Sequence, residues 1–316
     1  MMEGVLEQYG GAAFALPPLL EWSVALTGGV PCDSFQLRCP YVPAMAERLE
    51  TVWRATLRQS GQTVLRAVVD EYEIVQDERG RSLCVSGRGL AALLLDNEAE
   101  AVEYSRPVLS ELLRSHAAPC GVSWTPFPEL RGAGSYAVAS GSSQWKALSN
   151  FTRYFGGFEP RMTAEGVLVP TLWKDDGTRY LIRRGTPILE LRWKERRYGI
   201  YSEVLVVDKV RRTKERVVNA AFAARGGSCR KVLYTPGRST GNAMRYTGAY
   251  QIARSQQGAR EMTAVLSGAF FMEPGSVVRM ERADIGITGD FYVEELVLAC
   301  DGQGERTTLT MRRLTE

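Results

Sequence analysis

The sequence has one histidine, His116, and six cysteines. A single histidine excludes a multi-histidine metal site. Cys32, Cys39, Cys84, Cys120, Cys229 and Cys300 form no CxxC pair, which argues against a zinc knuckle or an iron–sulfur site. They read instead as small buried thiols in a reducing compartment. No apolar run reaches the roughly 18 residues needed to span a bilayer. The opening MMEGVLEQYGGAAFALPPLL lacks a basic segment and carries Glu3 and Glu7, so it does not read as a secretory signal. The expectation is a cytoplasmic product, or one that leaves the cell by a route other than secretion, with no membrane partner.

What is present is ordinary in amount and uneven in placement. The chain has 316 residues, 45% of them hydrophobic and 24% charged, which suits two or three folded domains. The net charge is only +3, yet the basic residues crowd into the second half. The densest stretches are RWKERR, Arg192 to Arg197, and KVRRTKER, Lys209 to Arg216. They lack the aromatic interleaving of a single-strand groove and match no helix-turn-helix or zinc-finger spacing. A solvated face or a contact with an acidic partner accounts for them better. A nucleic-acid-binding protein using the basic 192–216 region stays open as the alternative reading.

Several segments alternate as half-buried strands do. In TVWRATLR, Trp53, Ala55 and Leu57 oppose Arg54, Thr56 and Arg58; in TTLTMRR, Leu309 and Met311 oppose threonines and Arg312. LEWSVAL, TVLRAVV, EVLVVDK, MTAVLSG, SVVRM and FYVEELVLA are rich in β-branched and aromatic residues and also favour strand. Helical signals cluster between them. Ser105 is a candidate cap with Pro107 in the first turn, ahead of Leu109, Leu112, Leu113 and His116. A second helix is predicted after Gly141-Ser142, carrying Trp145, Leu148, Phe151 and Phe155 and stopped by Gly156-Gly157. A third is predicted between Asn242 and Gln257. Two hairpin patterns resemble each other, DEYEIV-QDERG-RSLCVSG and VEELVLA-CDGQG-ERTTLTMRR, both with Asp and Gly in the turn.

No catalytic constellation emerges. His116 and Cys120 could form a nucleophile pair, but His116 sits on the apolar stripe of a helix and no acid or amide is obviously placed to orient it. SGRG at 86–89 lacks the lysine and the third glycine of a phosphate-binding loop. Its glycines suggest a sharp exit from a strand ending near Val85. Gly87, Gly89, Leu90, Leu93 and Leu94 are then expected to mark a structural junction, the leucines packing a following module against a barrel. Arg88 is expected to contribute no more than an exposed ion pair. Ser140, Ser142 and Ser143 sit in no nucleophile elbow, and no carboxylates stand out as an acid–base pair. The sequence points away from an enzyme, with no catalytic, cofactor or metal residues.

The order of these motifs resembles that of baseplate hub proteins of contractile phage tails and phage-tail-like bacteriocins, of a Gram-positive prophage type. VVDEYEIV, the hairpin and LCVSGRGLAALLLDNEA are similar to the N-terminal half of such hubs. SSQWKALSNFTRYFGG is similar to their middle module, and GDFYVEELVLACDGQGERTTLTMRRL to their last barrel. The resemblance implies a mainly β protein with α/β insertions. Two tail-tube-like barrels, at 1–88 and at 186–209 plus 258–316, would flank a mixed α/β module at 89–185, with a helix-bearing insertion at 210–257. It also implies a non-enzymatic homotrimer, with no cofactor, that adapts a sixfold tail tube to a threefold spike. The implied partners are a tail tube or tube-initiator protein, the central spike protein, baseplate wedge proteins and a tape-measure protein, but no specific nucleic acid. Assembly would occur in the bacterial cytoplasm.

Overall fold

A computed structural model describes residues 1–28, 33–78, 80–235, 239–256 and 259–314. Its first part is built from β1 (Met2–Gln8), β2 (Ala13–Ala15), β3 (Glu21–Thr27), β4 (Ser34–Pro40), the short helix α1 (Ala46–Leu49), β5 (Val52–Gln59), β6 (Gln62–Asp77) and β7 (Gly80–Gly89). Period-two alternation sets which side chains go inward: Trp22, Val24 and Leu26 from β3, and Phe35, Leu37 and Cys39 from β4. Each such large apolar side chain contributes about 1.5–3 kcal/mol when buried.

A mixed module follows: α2 (Ala92–Leu95), β8 (Val102–Ser105), α3 (Leu109–His116), β9 (Ser135–Val138), α4 (Gln144–Phe151), β10 (Arg161–Met162) and β11 (Leu168–Val169). It has its own core, in which Leu94, Leu112, Leu113, Leu148 and Phe151 meet. Ser143 caps α4, its side chain accepting from the Lys146 N–H at 3.2 Å. The helix continues as a π-helical turn, Thr152–Gly156, before Gly157 takes a left-handed φ of 74°. Ser105, by contrast, does not cap α3. It is held in β8, paired with Ser135, and the Glu129 carboxylate serves the helix start instead, accepting from the Ser110 N–H at 3.1 Å. A cap supplied across space leaves no local sequence signature.

The last part contains β12 (Tyr180–Arg183), β13 (Ile188–Glu195), β14 (Glu203–Asp208), β15 (Thr213–Val218), α5 (Ala220–Ala223), β16 (Arg230–Thr235), α6 (Gly241–Gln256), β17 (Arg260–Ser267), β18 (Val277–Arg282), β19 (Ile287–Asp301) and β20 (Gly304–Arg313). Of the predicted third helix, Gln257 lies outside the described residues. Among the described residues, β14 pairs with no barrel strand. It is the centre of a small sheet, antiparallel to β15 and parallel to β16, and α6 packs on it through Met244 and Ile252. The insertion's sheet therefore starts at Glu203, inside the span 186–209 that the sequence assigns to the second barrel. The apolar run EVLVVDK does not distinguish a strand of a barrel from one covered by a helix.

All the barrel strands belong to one 13-stranded sheet, ordered β13-β17-β20-β19-β3-β4-β7-β6-β5-β1-β2, with β18 also on β19 and β12 on β18. The order contains the same five-strand antiparallel unit twice. β3-β4-β7-β6-β5 in one half matches β13-β17-β20-β19-β18 in the other; a sixth strand follows in each, but β1 lies antiparallel to β5 whereas β12 lies parallel to β18. The two long hairpins match residue for residue: one fixed spacing relates Val69 to Val293, Glu71 to Glu295, Asp77 to Asp301 and Gly80 to Gly304, and both hairpins carry a bulge between the first two of these positions. The two units meet where the far half of β19 pairs antiparallel with β3, from Glu295↔Thr27 to Cys300↔Trp22. Leu296 and Leu298 are fully buried there beside Leu26 and Val24, and one apolar core spans both units. The fold is thus mainly β with α/β insertions.

Candidate assembly interface

Both ring nitrogens of His116 are engaged, by Gln144 Oε1 at 2.6 Å from Nδ1 and by the Tyr104 hydroxyl at 3.1 Å from Nε2. Cys120 is not among these contacts, and burial raises its thiol pKa, which disfavours the nucleophilic thiolate. Burial also lowers the pKa of His116, with the Gln144 contact acting the other way. Its folded pKa therefore lies below the ordinary 6.5, and acidification protonates the unfolded chain first. Stability carried by this group is present at neutral pH and is lost as pH falls below that ordinary value. Between pH 7.5 and 5.5 the parent is expected to lose melting temperature relative to His116→Gln, which lacks the titrating ring. Among the described residues, no group of three or more His, Cys, Asp or Glu side chains is placed to hold a metal ion.

The five sequence-predicted junction residues fall into two sets. Gly87 and Gly89 do not follow a strand; β7 runs through both. Glycine is needed within the ladder itself. A Cβ on Gly87 would lie 2.0 Å from the Val68 carbonyl oxygen, and one on Gly89 would lie 2.9 Å from the Asp33 Cβ. The leucines serve the module. Leu94 lies in the module's core and Leu93 packs partly against it, while Leu90 sits over Gly166. The module is tied to the barrels elsewhere. The Arg66 N–H donates to the Ala164 carbonyl at 2.8 Å, and Trp173 Nε1 donates to the Gly275 carbonyl at 2.9 Å. Arg88 makes more than one exposed pair: its guanidinium spans Asp70 at 2.7 Å and Asp96 at 2.7 Å, linking β6 to the end of α2.

Asp33 lies beneath this junction. Burial pushes its carboxyl up to about 6, against a hydrogen bond from the Thr27 N–H that favours the ionised form, while Glu273 adds to the rise. A raised folded pKa means that stability from this group is fullest below 3.8 and is lost as pH rises towards about 6. Asp33→Asn is expected to raise stability by about 1–3 kcal/mol at pH 7.5 and by nothing measurable near pH 3.5. Thermal melts of both proteins at the two pH values check this.

The edges of the large sheet are the remaining feature. Among the described residues, β5 pairs with β6 only as far as Val68, and no strand pairs with the outer side of β6 beyond that point. This half of β6 carries Tyr72 (41% exposed) and Ile74 (44% exposed) on the side facing Val85 and Leu83, and Glu71 and Glu73 on the other. At one end of the sheet, β13 has, among the described residues, one paired side, on β17, and exposes Trp193 (47%) with Arg192 and Lys194. The basic 192–216 stretch is not one face: Arg192 pairs with Glu190 on β13, Arg216 with Glu203 in the insertion, and Lys209 stacks over Tyr234. A long, exposed edge with apolar side chains is a template for pairing with another chain.

No family model matches the sequence, and no curated protein matches it. Solved structures do. A tail protein from Neisseria meningitidis MC58 superposes with a TM-score of 0.78 at 17% identity, covering 98% of this chain and 96% of that one. The 43 kDa tail protein of prophage MuSo2 from Shewanella oneidensis gives 0.77 at 14% identity, covering 99% and 98%. The fold is that of phage tail proteins. The same tail-protein fold extends to the E. coli c3393 protein, a type VI secretion component described as similar to the T4 tail proteins gp27 and gp5, at a TM-score of 0.58 and 11% identity, covering 94% and 74%.

Proposed function

We propose that this chain is the hub of a contractile-tail baseplate, a structural protein without catalytic function that joins the tail tube to the central spike. The observation that carries the reading is the internal duplication. One chain holds two copies of a five-strand antiparallel unit joined edge to edge, so three chains offer six similar units to a sixfold tube while keeping threefold symmetry for a trimeric spike. The likeness of the fold to the Neisseria and Shewanella tail proteins supports it. So does the likeness to c3393, itself compared with gp27 and gp5.

On this reading the barrels form the ring and the module and insertion face neighbouring baseplate components, such as wedge and tape-measure proteins, during assembly in the bacterial cytoplasm. Gly87, Gly89, Leu90, Leu93 and Leu94 form the passage from ring to module. The test is co-purification of the protein with candidate tail-tube and spike proteins from the same source, at increasing salt. The hub is expected to hold both, with no salt-steep affinity for DNA. Failure to bind either, together with a DNA affinity that drops steeply with salt, would favour nucleic-acid binding through the basic region.

A further inference from the structure

We infer that the free half of β6 pairs antiparallel with the outer edge of β13 in a second copy of this chain, repeating between chains the seam that joins the two units within one. The inference rests on the hub reading for the number of copies, three, and on the duplicated sheet for everything else.

The register follows from the repeat. Val85 and Leu309 hold equivalent places in the two hairpins, and they pair with Leu37 and Ala264. Those residues in turn pair with Trp22 on β3 and Leu191 on β13. β13 is therefore to the second unit what β3 is to the first, with Trp193 at the place of Val24. On the other side, Ile74 and Tyr72 hold the places of Leu298 and Leu296. Within the chain Leu298 pairs with Val24, and both are fully buried. Between chains the same rule sets Ile74 opposite Trp193 of the second copy. These side chains are 44% and 47% exposed in the single chain, where their counterparts are buried.

The flanking pairs agree. The register puts Glu73 opposite Lys194 of the second copy and Val75 opposite Arg192 of the second copy. The β6 edge is acidic, with Asp70, Glu71 and Glu73, whereas the matching face of β13 is basic. Directly opposed charges of unlike sign stabilise a strand pair, and like charges would oppose it. Because the two edges are different surfaces, the contact is head-to-tail, and it closes into a ring only if the rotation returns to the start.

The test is a double variant, Ile74→Cys with Trp193→Cys, oxidised mildly and run on a denaturing gel without reductant. Directly opposed residues of an antiparallel pair have Cα atoms about 4.5–5.5 Å apart, within disulfide range. The expected product is a covalent three-chain species that reductant dissolves, absent from each single variant. The pair Gln76→Cys with Trp193→Cys, two residues out of register, should link at least tenfold less. Both sites are partly exposed in the single chain, and circular dichroism checks that the variants fold. No link in a sample whose native mass is three chains overturns the seam and leaves the hub reading standing. Equal yields from the two pairs, or a link from Ile74→Cys to added tube protein in place of the second copy, also overturn it. A chain that links as expected but binds neither tube nor spike protein keeps the seam and removes the hub reading.

Discussion

Gly87→Ala is expected to lower the stability of the barrels by about 3 kcal/mol or more. The position lies inside β7, opposite the bulge between Val69 and Glu71, where the partner strand comes closest. A methyl there would stand 2.0 Å from the Val68 carbonyl oxygen and 2.8 Å from a ring carbon of Phe35. The first contact is with backbone, so relief requires moving β6 relative to β7 and reopening the ladder. The second copy of the unit carries Met311 at the equivalent place, so the glycine is a requirement of this hairpin and not of the bulge in general. Gly302→Ala is the control, since nothing lies within 4 Å of a Cβ there, and its effect should stay within about 0.5 kcal/mol. Denaturant melts of the two variants beside the parent decide the matter. Equal midpoints would show that the close approach is not what demands glycine.

Leu94→Ala is expected to cost about 2–5 kcal/mol, through lost burial and the cavity left behind. Leu94 is fully buried in the module's core with Leu112, Leu113 and Phe151. Leu93, only partly buried at the rim of the same core, should cost less when truncated. Because this core is separate from that of the barrels, hydrogen exchange should speed up in α3 and α4 before it does in β3 or β19. Uniform acceleration across the chain would mean that module and barrels unfold as one unit.

Much of the fold was legible because alternation reports burial directly. Ala55 and Leu57, or Leu309 and Met311, could be assigned inward from their neighbours alone, and the two Asp-Gly hairpins already resembled each other. What could not be read was set by long-range geometry. The continuation of β7 through Gly87 and Gly89 depends on a bulge in β6, and two glycines in sequence look like an exit. Ser105 resembled a cap, but pairing with Ser135 takes it into a strand and Glu129 acts from a distance. The seam between β3 and β19 joins residues at opposite ends of the chain, so no local pattern foretells it. The free edges of β6 and β13 carry no signal of their own either. Tyr72, Ile74 and Trp193 look like ordinary strand residues until the sheet shows that, among the described residues, they stand on strand edges with no paired neighbour.

On the hub reading, three chains close into a ring that offers six similar units. Electron-microscopy class averages of the purified protein test it most directly. The expected image is a closed ring of six lobes with threefold symmetry, from a particle of three times the 35.0 kDa chain mass. Monomers at every concentration, twofold particles, or open chains of variable length would contradict it.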